Sequence, residues 1–418
     1  MPRRATTLRR PAAAHGRAAL ARAHRGEVRS GLDVLAKSRA RLLRGRRIGL
    51  ICNPTAVTAD LVHAADLLHG VPGVELVALF GPEHGVRGDA QYMAPVGGER
   101  DARTGVPVHS LYGETPGSLK PSPEALDGLD ALVFDIQDVG ARYYTYQATM
   151  MLCMEAAADA RVPFVVLDRP NPIGGALVEG PRLTPGFESF CGLHDLAPRH
   201  GMTVGELALL FRAERKLELE LELVACEGWR RGTSFRETGL PWVFPSPNMP
   251  TPETALVYPG MCLVEGTNLS EARGTTRPFE LFGAPWLDAS RLAEDLSRER
   301  LPGVRFRPVS FVPTWDKHAG VRCHGVELFV TAPGRFRPFR TGLACVLHAR
   351  AQDPARFAWR TEPYEFVTDV PAFDLLCGSA REREGIEAGA TVAELARAFA
   401  PEERAFARRR TSYLRYAG

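Results

Sequence analysis

Residues 130–146 read DALVFDIQDVGARYYTY, and the first seven of them decide the fold. A strand with one wet face alternates apolar and polar residues, whereas DALVFDI is a short, nearly continuous apolar run that stops abruptly at a polar loop. Such a run suits a strand covered on both faces. Working outward, the same form recurs in RIGLIC (47–52), VELVALF (74–80) and VPFVVLD (162–168), each bounded by glycine, proline or an acid. Helix-like stretches lie between them, ADLVHAADLLHG at 59–70 and YTYQATMMLCMEAAADA at 144–160. TVGELALLFRAERK (203–216) then leads into LELELELVAC (217–226), whose strict alternation predicts a strand with one wetter face. Strands alternating with helices predict a doubly wound α/β domain, a parallel sheet covered on both sides, over about residues 32–240.

The next segment, PWVFPSPNMPTPETALVYPG (241–260), carries six prolines, which bar a continuous helix or a central strand and suit an ordered crossing between domains. Beyond it, helices are expected near 288–300, 341–350 and 391–410, with a strand at 325–330. That pattern predicts a smaller α+β domain over 261–418. Two domains also fit the 418-residue length, since single cores stop growing near about 250–300 residues.

The net charge of +3 is misleading. Residues 1–31 hold eight arginines against the single Glu27, and removing that +7 leaves the body at about −4. A body of that charge offers no electrostatic case for nucleic acid. The arginine- and alanine-rich residues 1–31 read as a disordered basic tail, without the apolar run of a secretory signal. No stretch approaches the 18 or so apolar residues of a membrane span. The eight cysteines are scattered without metal-ligand spacing, several in apolar runs, and read as small buried hydrophobes in a reducing compartment. A cytoplasmic location follows as the expectation; oligomeric state is not written in the sequence.

Four predicted strands run directly into polar loops: Asn53-Pro54-Thr55, Gly81-Pro82-Glu83-His84-Gly85, Gln137-Asp138-Val139-Gly140-Ala141-Arg142, and Asp168-Arg169-Pro170-Asn171-Pro172. In open α/β sheets the ligand crevice lies outside the carboxyl ends of the strands, so these loops should share one mouth. Neither GxGxxG nor GxxxxGK[ST] occurs, so neither a dinucleotide nor a nucleoside triphosphate is expected there, and no other cofactor is called for. Glu83, walled by Phe80, Gly81 and Pro82, suits a desolvated general acid, or else a loop acid or cap. His84 is a second catalytic group or an orienter, and Arg87 and Asp89 are read as a pair across the loop. Asp135 and Asp138 are close enough for an acid/base pair, a metal site or helix capping. Tyr143 and Tyr144, with Tyr146, suit stacking on a sugar ring, with at least one in the core. Glu265, Asn268, Glu271, Arg273 and Arg277 crowd into VEGTNLSEARGTTRPFE (264–280) and suit recognition of hydroxyls and carboxylates.

The motifs LFGPEHGVRGDAQ (79–91), LVFDIQDVGARYYTY (132–146), LDRPNPIGG (167–175), VEGP (178–181), RHGMTVGELA (199–208), PSPNMPTPETALVYPG (245–260) and EGTNLSEARGTTRPFE (265–280), in this order, resemble the NamZ-type exo-β-N-acetylmuramidase family, long catalogued as a domain of unknown function. The resemblance spans about residues 32–418. It implies a Rossmann-like domain flanked by a smaller α+β domain, and removal of N-acetylmuramic acid from the non-reducing end of peptidoglycan fragments. It also implies that Glu83 is the catalytic glutamate. Where the family usually has SEGR, this chain has Ala272, whose methyl bears on a positive φ or on close approach to ligand. N-acetylmuramic acid carries a lactyl carboxylate, for which Arg142, Arg169, Arg273 and Arg277 are candidates, Arg273 or Arg277 foremost. The second catalytic carboxyl is sought among Asp135, Asp138, Glu265 and Glu271, with a tyrosine nucleophile or the substrate's own acetamido group as alternatives. Two rivals are a metallohydrolase using Glu83, His84, Asp89, Asp135 and Asp138, and a muropeptide-binding protein without turnover.

Overall fold

A computed structural model describes residues 28–88, 100–113 and 115–418. Six strands, β1 (Arg46–Cys52), β2 (Val74–Gly81), β3 (Val108–Ser110), β4 (Ala131–Asp135), β5 (Phe164–Leu167) and β6 (Leu221–Val224), form one parallel sheet in the order β3-β2-β1-β4-β5-β6. This is the Rossmann order, and its direction of winding reverses between β1 and β4. The four apolar runs are β1, β2, β4 and β5. β6 uses only part of the alternating segment, and β3 is a three-residue edge strand too short to show a pattern.

Local chemistry sets the ends of the elements. Thr203 and Glu206 form a reciprocal cap at the start of helix Val204–Glu214, and Ser30 does the same with Asp33 at helix Gly31–Lys37. The second cap corrects the expected tail boundary. Residues 28–31 belong to the fold, because Val28 is buried, Arg29 pairs its backbone with Glu227, and Gly31 N donates to Asp168 O at 2.7 Å. The rest of the tail, 1–27, lies outside the described residues.

The smaller unit holds an antiparallel sheet, β7 (Leu281–Ala284), β8 (Val304–Phe311) and β9 (Cys323–Val330), in the order β7-β9-β8. Helices 289–298, 338–352 and 392–409 match the three expected ones. Pro308 disguises β8 in the sequence, yet it is tolerated because β8 is an edge strand. Within the proline-rich crossing, 252–261 is helical, with Thr251 as cap and Pro252 in the first turn, where its missing N–H costs nothing. One apolar cluster runs from Ile51, Phe134 and Met150 through Phe282 and Leu343 to Phe399, so the two units share a core. A second, around Leu32, Leu50, Val133 and Leu167, covers the other face of the sheet. The C-terminal residues return to the α/β unit, where Arg410 donates to the carbonyls of Gly175 and His200, each at 3.0 Å.

Helices 252–261 and 338–352 cross at two glycines. A Cβ on Gly260 would lie 1.8 Å from Pro338 O, and one on Gly342 would lie 2.1 Å from Gly260 O. Both obstacles are backbone, so the helices must part to admit a methyl. Gly260→Ala is expected to cost about 3 kcal/mol, the upper part of the usual overpacking range. An unchanged denaturant midpoint would show that the crossing is looser than these distances imply.

Candidate active site

The four polar loops meet at the carboxyl end of the sheet. Gln137 N donates to Thr55 Oγ1 at 2.9 Å, and Gln137 Nε2 reaches Asp138 O at 2.7 Å and Pro170 O at 2.9 Å, so the loops after β1, β4 and β5 are stitched together. The loop after β2 packs on the first of them at Gly88, where a Cβ would sit 2.7 Å from Pro54 Cγ.

Glu83 follows β2 almost directly. Its loop turns through His84 and Gly85, with φ of +72° and +75°. Glycine accepts that region freely, whereas histidine is strained there. Arg87 fixes the far side of the loop, donating to Asp66 at 2.7 Å and Asp101 at 2.8 Å. Asp89, the expected partner of Arg87, lies outside the described residues. The Glu83 side chain is 18% exposed, and His84 Nε2 is 3.8 Å from its Oε1. Burial pushes the Glu83 carboxyl up to about 7, with Arg273 pulling it down and Glu265 adding to the rise. Such a group holds its proton near neutrality and can release it there. Tyr144 and Tyr146 lie in the field of Glu83, and the Asn53 amide lies beside the Tyr146 hydroxyl.

The facing wall comes from the smaller unit. Glu265 accepts from Arg273 Nη2 at 2.6 Å and from the Tyr364 hydroxyl at 2.8 Å. Glu271 accepts from Arg273 Nε at 3.0 Å and pairs with Lys317 Nζ at 2.8 Å. Burial opposes ionisation of Glu271, but Lys317 and Arg273 prevail and hold it below the ordinary carboxylate value. Ala272 between them has φ +63°, the backbone conformation for which glycine is cheaper.

Several polar loop residues have partners in the framework. Asp135 is fully buried and held by Arg169 at 2.5 and 3.0 Å. Asp138 accepts from Gly140 N at 2.6 Å and lies 3.6 Å from His200. Asp168 caps helix 204–214 through Gly205 N (2.8 Å) and Thr203 Oγ1 (2.8 Å). Asn171 closes its own turn on Ile173 N and reaches Met202 O. Arg142, wholly buried, donates to the carbonyls of Pro181, Leu196 and Leu376. Asn268 pins residues 356–358. Tyr143 is a core residue whose hydroxyl donates to Pro259 O, and Tyr144 and Tyr146 are buried edge to face, so the three line a wall instead of offering a flat face to a ring. Arg277 pairs with Glu280 at 2.7 Å and lines a separate cavity of about 470 Å³ with Phe235, Leu256 and Phe329.

Among the described residues, no three His, Cys, Asp or Glu side chains gather as metal ligands would. No helix among them is long and apolar enough to cross a membrane. All eight cysteines are buried free thiols. Sequence reasoning missed Lys317 and Tyr364, which reach Glu271 and Glu265, because each stands in an unremarkable loop brought there by the folding of the smaller unit.

Two family models match the chain: "Exo-beta-N-acetylmuramidase NamZ, N-terminal" over residues 48–253 and "Exo-beta-N-acetylmuramidase NamZ, C-terminal" over 256–416. The chain is 47% identical over 394 residues to the peptidoglycan beta-N-acetylmuramidase NamZ of Bacillus subtilis (strain 168), covering 94% of this chain and 92% of that protein. Crystal structures of two DUF1343 family proteins from Bacteroides fragilis NCTC 9343 superpose with TM-scores of 0.85 and 0.75, at 36% and 30% identity. Each covers 94% of this chain, and the matches span 100% and 99% of the two neighbours. With both family models matched in order and 47% identity to the Bacillus subtilis relative along nearly the whole of both chains, the chain belongs to the NamZ exo-β-N-acetylmuramidase family.

Proposed function

We propose that this protein is a glycoside hydrolase that removes the terminal N-acetylmuramic acid from the non-reducing end of peptidoglycan fragments, in wall turnover or recycling. One observation carries the assignment beyond family membership. Glu83 stands on a loop fixed by the Arg87 ion triad, at the carboxyl end of the sheet, where burial pushes its carboxyl up to about 7. A glycosidic oxygen leaves poorly as an alkoxide, so a proton delivered as the bond breaks lowers the barrier. Glu83 is the general acid, and His84, at 3.8 Å, helps to orient it. The eight buried free thiols suit a reducing compartment, which favours a cytoplasmic recycling role.

Of the two arginines preferred for the lactyl carboxylate, Arg273 is the one at this mouth. Two of its nitrogens are taken by Glu265 and Glu271, and Asp316 lies 3.8 Å from its Nε. Arg273→Met is expected to raise KM about tenfold, the value of one charge-assisted hydrogen bond. It should also move the alkaline limb of the pH profile to higher pH, because the cation that favours ionised Glu83 is gone. A limb that stays in place would separate Arg273 from Glu83.

The deciding assay is release of free N-acetylmuramic acid from a MurNAc–GlcNAc disaccharide, with and without a chelator. Turnover that is indifferent to the chelator is expected. Binding without cleavage would instead identify a muropeptide-binding protein, and activity lost to the chelator and restored by a divalent ion would identify a metallohydrolase.

A further inference from the structure

Residues 34–59 contain no Asp or Glu, yet Lys37, Arg39, Arg41, Arg44, Arg46 and Arg47 fall within eleven residues of that span. Folding keeps these cations together. The chain leaves helix Gly31–Lys37 through Arg39 and Ala40, whose φ values are +53° and +48°. Arg39 N donates to Ala36 O and Ala40 N to Leu35 O, both at 2.9 Å, so the segment folds back on the helix end. Lys37, Arg39, Arg41, Arg44 and Arg47 are exposed there. Two hollows, of about 470 and 300 Å³, share Arg39 and Arg44 on their walls, and Lys37, Arg41 and Glu227 border the larger.

Acids stand only at the edges of this face. Glu227 pairs with Arg29 at 2.6 Å and with Lys37 at 3.6 Å, and Glu75 lies 3.7 Å from Arg47. Among the described residues, no carboxylate comes within ion-pair distance of Arg39, Arg41, Arg44 or Arg46. Guanidinium groups stay charged, and gathered without acids they repel one another. The body as a whole is acidic, at about −4, so the cationic face contrasts with the rest of it. The chain also enters from this side: Arg29 binds the same Glu227 that borders the larger hollow, and residues 1–27 before it carry seven arginines.

The face lies at the end of the sheet opposite the mouth. β1 begins at Arg46 and β2 two residues after Pro72, and both run from here to the polar loops. Leu67, Val71 and Pro72, none of them fully buried, line the smaller hollow with Arg39 and Arg44. Cations interleaved with apolar side chains match the head-group boundary of an anionic bilayer, which takes the charges at its phosphates and the apolar groups just beneath. A nucleic acid strand would gain from rings to stack on, and among the described residues no aromatic lines either hollow. We propose that this face docks the protein on a membrane surface rich in anionic lipid, with the mouth turned away from the bilayer. The proposal does not depend on the hydrolase assignment.

Full-length protein is sedimented with vesicles of phosphatidylglycerol and phosphatidylcholine in equal parts, or of phosphatidylcholine alone, at about 50 mM and about 500 mM salt. Binding to the mixed vesicles only, weaker at the higher salt, is expected. Joint replacement Arg39→Gln, Arg41→Gln and Arg44→Gln should lower that affinity about a hundredfold, roughly fivefold for each cation removed. The melting temperature of this variant should equal or exceed the wild type's, since mutually repelling charges are gone, and its turnover of the soluble disaccharide should be unchanged. Arg305→Gln, Arg322→Gln and Arg335→Gln together remove the same charge from exposed positions of the smaller unit. They should weaken binding less than about threefold, because charges far from the bilayer are screened. Equal losses in the two triple variants would reduce the effect to net charge and overturn the proposal. So would a wild type that ignores the mixed vesicles or binds both kinds alike. Duplex DNA that strips the wild type from the mixed vesicles at equal phosphate would identify a nucleic-acid surface instead. A wild type that binds vesicles and does not cleave the disaccharide would overturn the hydrolase assignment and leave this proposal standing.

Discussion

Glu83→Gln will lower kcat by about a hundred- to ten-thousandfold, the range for loss of a positioned proton donor, while leaving disaccharide binding nearly intact. The amide keeps the shape of the carboxyl and a hydrogen-bond donor but gives up no proton to the leaving oxygen. In the wild type, activity should fall as pH rises through about 7, where Glu83 loses its proton. A second outcome has the opposite sign. Glu83 is raised from an ordinary 4.5 to about 7 in the folded protein, so the unfolded chain ionises first as pH rises. Stability from this group is therefore complete below pH 4.5 and is lost as pH climbs to about 7. The loss amounts to about 3 kcal/mol at most. Glu83→Gln, which cannot ionise, should accordingly be more stable than wild type at pH 8 and nearly equal to it at pH 4. Denaturant titration at both values, beside kinetics, checks the pair of outcomes. A variant that is both inactive and less stable at pH 8 would mean that Glu83 supports the fold and is not held in an unfavourable state for chemistry.

The sheet was legible because burial on both faces leaves an unmistakable apolar run, as in DALVFDI. The smaller unit was only partly so. β9 shows as GVELFV, but β7 is four residues and β8 carries Pro308, so propensity speaks against a strand that edge position allows. Many polar residues read as candidates for the mouth also have framework partners. Asp168, Asn171, Arg142 and Asn268 sit in loops beside the strand ends, yet each hydrogen-bonds the backbone or helix end that its loop leaves open. Buried loop backbone needs such partners whatever the chemistry nearby. A sequence shows the polar residue and not the group it satisfies. Tyr364 was missed for the converse reason: its neighbourhood in the chain says nothing, and only its bond to Glu265 ties it to the mouth.

Asp135 gives the sharpest test of that distinction, because it was a candidate for the chemistry and the fold gives it an ion pair. It ends β4, fully buried, and burial raises its carboxyl above the ordinary value against the pull of Arg169. Arg169 binds it in a two-pronged fork and adds a bond to Val57 O at 3.0 Å, so the pair ties the β5 loop to the loop after β1. Breaking a buried pair from one side leaves an uncompensated charge and costs about 3–5 kcal/mol. Arg169→Met should pay that in full at neutral pH and less in acid, where Asp135 takes up a proton and sheds its charge. Asp135→Asn strands the guanidinium at neutral pH, and its loss against wild type should shrink in acid, where the wild-type carboxyl takes up a proton and becomes as neutral as the amide. Arg169→Met combined with Asp135→Leu should recover much of the stability lost by Arg169→Met, since neither charge remains to be buried. A catalytic Asp135 predicts something different: Asp135→Asn would fold as well as wild type and lose turnover alone. Melting curves for the three variants at pH 5 and pH 8, with kinetics on the folded fraction, separate a residue that holds the loops in place from one that acts on the substrate.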